Sequence, residues 1–388
     1  MPADEPEETS VGARPAAVVT PEPVARIDAL TGLRMLAAGA VYASHLLVPK
    51  SFPKGVRVFC ANGYNGVTLF FILSGFVLTW NYGERLGSHV SGRALRSFFV
   101  ARVARIFPVY LFALLWIVAP VWFGHKRMPF IWYHVFAVQT WSGNLLNAYG
   151  YNAPGWSVGV ELFLYACFPF LLLLLRPFRR DRRALAIVAI VSVAFTASLL
   201  TWALAAGRAD LSALSGASAH RWLYRTPWTR LGDFVLGMVA AYLALLVPRG
   251  APGWWGRAAQ HFGWITIVAL MTSSFVYNSA ASYDLLYMIP MFALIIGLAL
   301  NPSTWLARAI STKTMLLLGE SSFAFYLFHR HLLDVLGIAK TTDAVPWALS
   351  AAVTTAMIMC LSVGVHVVVE IPSRRFLRRA LDAPRRNG

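Results

Sequence analysis

Residues 26–45 read RIDALTGLRMLAAGAVYASH, an apolar run that carries Arg34 inside it and His45 at its far end. As a helix turns about 100° per residue, the eleven steps from Arg34 to His45 make about three turns and leave both side chains on one face, about 16 Å apart. An Arg and a His among apolar neighbours cost several kcal/mol unless they pair, meet water or hold a ligand, so both are candidate functional residues. Taken alone, His45 also fits a hydrogen-bonded residue at a membrane interface.

The surrounding composition says what kind of helix this is. Of 388 residues 58% are hydrophobic and only 13% charged, against about 25% charged in soluble domains. With roughly 20 apolar residues needed per crossing, the chain reads as an all-α, polytopic membrane bundle of about ten transmembrane helices. The net charge of +17 comes from short Lys and Arg clusters between apolar runs, which excludes a nucleic-acid surface and marks membrane topology instead. Cys60, Cys167 and Cys360 are far apart and form neither a disulfide framework nor a zinc spacing, so no metal is expected.

Apolar runs recur at about 29–49, 63–81, 98–123, 157–176, 184–206, 230–248, 262–279, 285–300, 315–336 and 347–370. Residues 1–25 are acidic at first and rich in Pro and Ala, and read as a disordered tail before a membrane domain spanning 26–375. A basic tail, 376–388, follows. The connector carrying Arg85, Arg93, Arg96, Arg102 and Arg105, the block RPFRRDRR beginning at Arg176, and the RRFLRR tail are the basic segments. By the positive-inside rule they face the cytoplasm, and counting crossings puts both termini there. The 124–156 connector holds Trp132, Tyr133, Trp141, Tyr149, Tyr151 and Trp156, the composition of either an aromatic belt or a segment that roofs a cavity.

Several polar groups interrupt the apolar runs. In GVTLFFILSGFVL, from Gly66, small residues allow close helix approach, and the Ser74 hydroxyl is expected to bond its own backbone. Arg102 and Arg105, three apart in ARVARIFPVY, suit a nucleotide or pyrophosphate and equally suit anionic lipid headgroups. PGWSVGVELFLY, from Pro154, contains a G-x-S-x-G pattern but lacks the preceding strand of a nucleophile elbow, so Ser157 is expected to cap the helix. Glu161, one turn inside that helix, needs a partner, and His45 or Arg34 is expected to supply it. Arg230 and Asp233 are spaced to neutralise each other. In GESSFAFYLFHRH, from Gly319, Ser322, Tyr326 and His329 form a polar stripe on one face. His366 and Glu370, a turn apart, are expected to pair at a basic boundary.

Taken in order, these motifs resemble acyltransferase family 3, the integral membrane O-acyltransferases, across roughly residues 26–375. The resemblance is carried by Arg34 with His45, FFILSGF at 70–76, RVARIFPVY at 102–110, WSVGVELFLY at 156–165, SSFAFYLFH at 321–329 and EIPSRR at 370–375. Departures are Arg330 and His331, where an aromatic or Pro is expected, and the lack of a fused esterase-type domain. The resemblance implies acyl-CoA as donor, a hydroxylated small molecule as acceptor, and important roles for Arg34, His45 and Glu161. Length, leader and composition look like the branch that acylates macrolide antibiotics.

On that footing His45 is expected to act as general base oriented by Glu161. Arg34, Arg102, Arg105 and Tyr326 are expected to hold the donor, with membrane lipid around the bundle and no nucleic-acid partner. Two rivals are an O-acetyltransferase of cell-surface polysaccharide or glycolipid and a transporter of an anionic or lipid-linked substrate. The transporter calls for inverted repeats, which the sequence lacks.

Overall fold

In the computed structural model, residues 26–88, 91–124, 127–248, 253–336 and 343–382 are described; the leader at 1–25, the last residues of the tail and most of the 337–346 connector lie outside them. Among the described residues there are helices and turns and no strand. Each of the ten apolar runs falls on a long helix, although the run expected at 262–279 is displaced, its helix being Trp254–Thr272 with a break at Ser273. The helices are α1 (Asp28–Ser44), α2 (Gly66–Ser88), α3 (Gly92–Phe123), α4 (Trp156–Leu175) and α5 (Arg182–Ala205). The second half supplies α6 (Leu231–Leu245), α7 (Trp254–Thr272), α8 (Leu285–Leu300), α9 (Lys313–Leu336) and α10 (Ala344–Val365).

Among the described residues seven stretches are long and apolar enough to cross a membrane, and the chain is a polytopic helical membrane protein. The helices outside that group are α1, α7 and α9. Each carries polar residues that lower its hydropathy: Asp28 and Arg34 on α1, Arg257 and Gln260 on α7, Glu320, His329, Arg330 and Asp334 on α9. Tertiary packing holds them instead, with α1 against α9 and α7 against α8.

The most extensive helix pair is α2 with α6, and two glycines make it. A Cβ on Gly75 would lie 2.0 Å from the Phe234 carbonyl oxygen, and one on Gly237 would lie 1.9 Å from that of Ile72. The backbones therefore touch reciprocally, which any larger side chain forbids.

Beside this contact Arg230 is completely buried, and its expected pairing with Asp233 is present at 3.1 Å. A second carboxylate joins it: Oδ1 of Asp284 lies 2.7 Å from the same guanidinium nitrogen. Arg230 also donates to the carbonyls of Tyr224 (2.7 Å) and Tyr283 (3.2 Å). The cluster thus ties the start of α6 to two connectors. At the other end of the chain, His366–Glu370 widens into a π-helical turn and α11 (Ile371–Asp382) continues across the expected boundary at 375.

Candidate active site

His45 is the residue at which α1 ends. Its Nδ1 lies 2.9 Å from the Val41 carbonyl oxygen, 3.4 Å from the Ser44 hydroxyl and 3.4 Å from Nε2 of His329. His329, fully buried on α9, has its own Nδ1 2.6 Å from the Tyr326 carbonyl oxygen. The imidazole rings meet edge to face with centroids 5.0 Å apart. The polar stripe Ser322, Tyr326 and His329 does face inward, all three side chains being buried.

The two histidines border a cavity of about 660 Å³ formed largely by connectors. Its walls are aromatic, with Tyr64, Tyr149, Trp156, Tyr224 and Tyr283 among them; the end of the long connector thus lines the cavity, while Trp132, Tyr133 and Trp141 earlier in it are exposed, as in an aromatic belt. His220 also lines it. Burial, with Arg225 and then Arg230 nearby, pushes the His220 pKa down to about 4, so this ring is neutral at pH 7.

Tyr326 is shared between that cavity and a narrow passage of about 70 Å³. Arg34, Arg102, Arg105, Ser157 and Glu161 border the passage between apolar side chains of α2. Arg34 and Arg105 in turn border a third cavity, about 310 Å³, at the end of the bundle where Arg26, Glu320, His366, Glu370 and Arg374 gather. There the expected His366–Glu370 pair is present at 2.9 Å, and Glu320 bridges Arg26 (2.8 Å) and His366 (3.7 Å). Three cavities therefore follow one another through the bundle, joined by Arg34 and Arg105 at one junction and Tyr326 at the other.

Several expectations need correction. Glu161 is not the partner of His45: it accepts from Ser74 at 3.2 Å and from the Tyr165 hydroxyl, both lining the passage, while His45 borders the wider cavity. Ser74 accordingly serves the carboxylate rather than its own backbone, because a half-buried carboxylate is a stronger acceptor than a backbone carbonyl. Arg102 is buried, donates to Tyr82 at 3.2 Å and stacks near the rings of Tyr82, Phe98 and Tyr165, so only Arg105 of the pair also reaches the outer mouth. Ser157 is not an N-cap. The helix begins at Trp156 and the Ser157 hydroxyl donates back to the Pro154 carbonyl at 3.1 Å.

Comparison with known proteins bears on what such an arrangement serves. The acyltransferase domain family matches residues 27–367. The chain belongs to acyltransferase family 3. Among its relatives is the acyltransferase MdmB of Streptomyces mycarofaciens, 29% identical over 92% of this chain and 94% of that protein. Another is the peptidoglycan O-acetyltransferase OatA of Listeria monocytogenes, 25% identical over 78% of this chain and 49% of that protein. No solved structure matches. Within this family 3 acyltransferase, the narrow passage and the aromatic cavity share Tyr326 as a wall.

Sequence reasoning missed two partners. His329 was visible in a polar stripe, but nothing in the chain spacing points it at His45. Asp284 sits in a short connector beside an apolar helix, where it reads as an ordinary loop residue.

Proposed function

We propose that this protein is an acyl-CoA-dependent O-acyltransferase that moves a short acyl group onto a hydroxyl of a macrolide antibiotic or its sugar. The observation that carries the reading is the succession of cavities from an arginine-bordered mouth, past Arg34 and Arg105, to Tyr326 and the histidine pair. Acyl-CoA enters at the mouth, which lies on the cytoplasmic side with both termini, and membrane lipid surrounds the unit from 26 to 375. Arg105, Arg34 and Arg102 face the donor's anionic and amide groups, and the pantetheine arm occupies the narrow passage. Its length matches the helical rise of about 16 Å between Arg34 and His45.

The acceptor occupies the aromatic cavity, whose flat rings suit a sugar face or a macrolide ring. His45 removes the hydroxyl proton as the oxygen attacks the thioester carbonyl, then returns that proton to the departing CoA thiolate. Tyr326, which borders both the passage and the histidine cavity, is the donor available to the oxyanion. Glu161, held by Ser74 and Tyr165, shapes the passage and balances its arginines.

The macrolide acceptor is favoured by the match to the Streptomyces acyltransferase along nearly the whole of both chains. A second reading, O-acetylation of a cell-surface glycan, is supported by the match to peptidoglycan O-acetyltransferase. Mass spectrometry of purified protein with a panel of acyl-CoAs, macrolides and glycan fragments separates these. An acyl mass gained by a macrolide supports the first reading, and one gained only by glycans replaces it with the second. Absence of acyl-CoA binding refutes both and favours a transporter.

A further inference from the structure

We infer that His329 is a positioning residue for His45, replacing the carboxylate that usually orients a catalytic histidine. The inference rests on the acyltransferase reading above and on hydrogen-bond logic alone. A carbonyl oxygen only accepts, so the 2.9 Å contact with Val41 places the neutral ring's proton on Nδ1 of His45. The Ser44 hydroxyl already donates to the Val41 carbonyl at 2.7 Å, so it too faces His45 as an acceptor. On His329 the 2.6 Å contact with the Tyr326 carbonyl likewise places the proton on Nδ1, which leaves a lone pair on Nε2. That lone pair faces Nδ1–H of His45 at 3.4 Å. Two backbone carbonyls thus set both tautomers, and Nε2 of His45 is left unprotonated, the form a general base requires.

The proton balance is closed. Nε2 of His45 takes the acceptor's hydroxyl proton while the new O–C bond forms. The C–S bond then breaks and the thiolate receives that proton, while Nδ1–H never leaves the ring. In the imidazolium stage Nδ1–H becomes a charged donor shared between the Val41 carbonyl and His329 Nε2, and a charge-assisted bond of this kind is about twice as strong as a neutral one. The charged neighbours of the pair are Arg330 and Asp334, which bind each other at 3.0 Å. Tyr42, 6.3 Å from the His329 ring, donates to or accepts from Thr355, and His220 and the cavity's tyrosines complete the titratable surroundings.

The test compares His329→Leu with His329→Gln, whose side-chain oxygen restores an acceptor near the Nε2 position. The leucine variant is expected to lose about tenfold or more in kcat, with little change in KM for acyl-CoA. The acid limb of its pH–rate profile moves to lower pH, and glutamine restores both. A leucine variant with unchanged kcat and unchanged limb overturns the proposal. Histidine 15N NMR of the wild-type protein reads the tautomers directly, whether or not the leucine variant folds. Protons on Nδ1 of both rings support the proposal; a proton on Nε2 of either neutral ring overturns it. Wild-type protein with these tautomers but no transferase activity refutes the enzymatic reading instead, so the two failures are distinct.

Discussion

Nε2 of His329 lies 3.4 Å from Nδ1 of His45, a contact between residues 284 positions apart that closes α1 against α9 at the edge of the aromatic cavity. Around this contact the bundle divides its work. The less apolar α1 and α9 bring Arg34, His45 and His329 to the interior, where Arg102 and Arg105 of α3 and Glu161 of α4 join them.

Arg230 supports the floor of that cavity through the carbonyls of Tyr224 and Tyr283. Arg230→Met leaves Asp233 and Asp284 buried without their counter-ion, which costs about 3–5 kcal/mol. The variant is expected to be recovered poorly and to melt well below wild type in detergent. Adding Asp233→Asn and Asp284→Asn should restore much of the melting temperature, as removal of the whole charged set is far less costly than removal of one partner.

His220 makes stability depend on pH. Its folded pKa of about 4 lies below the unfolded value of about 6.5. Between those values the unfolded chain binds the proton and the folded one does not. Stability is therefore full above about pH 6.5 and declines as pH falls towards 4, by about 2 kcal/mol at pH 5. The melting temperature should drop between pH 7.5 and 5, and the drop should be smaller in His220→Gln.

Much of this was written in the chain. Ten runs of roughly 20 apolar residues leave a membrane bundle as their only economical arrangement, and the four- and three-residue spacings from Ser322 to His329 mark an inward face. Glu161 stood out because a carboxylate inside an apolar helix demands partners. Which partners was not legible. Tyr165 is one turn along the same helix, but Ser74 comes from another, and small hydroxyl residues in apolar helices ordinarily bond their own backbone. The same limit hid Asp284 behind the Arg230–Asp233 pair, because the short spacing looked sufficient.

Glu161 and Arg105 border the passage rather than the histidine cavity, so their loss should be felt by the donor. Arg105→Gln is expected to raise KM for acyl-CoA about tenfold, the value of one charge-assisted hydrogen bond. Glu161→Gln should do likewise while leaving the acid limb of the pH–rate profile in place. A limb displaced by Glu161→Gln would return the carboxylate to direct contact with His45.

The most direct test is turnover of acyl-CoA and acceptor by purified His45→Ala beside wild type in the same detergent. Wild type should release CoA and acylated product together. The alanine variant, folded and melting as wild type does, should be slower by about 10²–10⁴-fold, the range for removal of a general base. A folded His45→Ala protein with near-normal turnover would contradict the account at its centre.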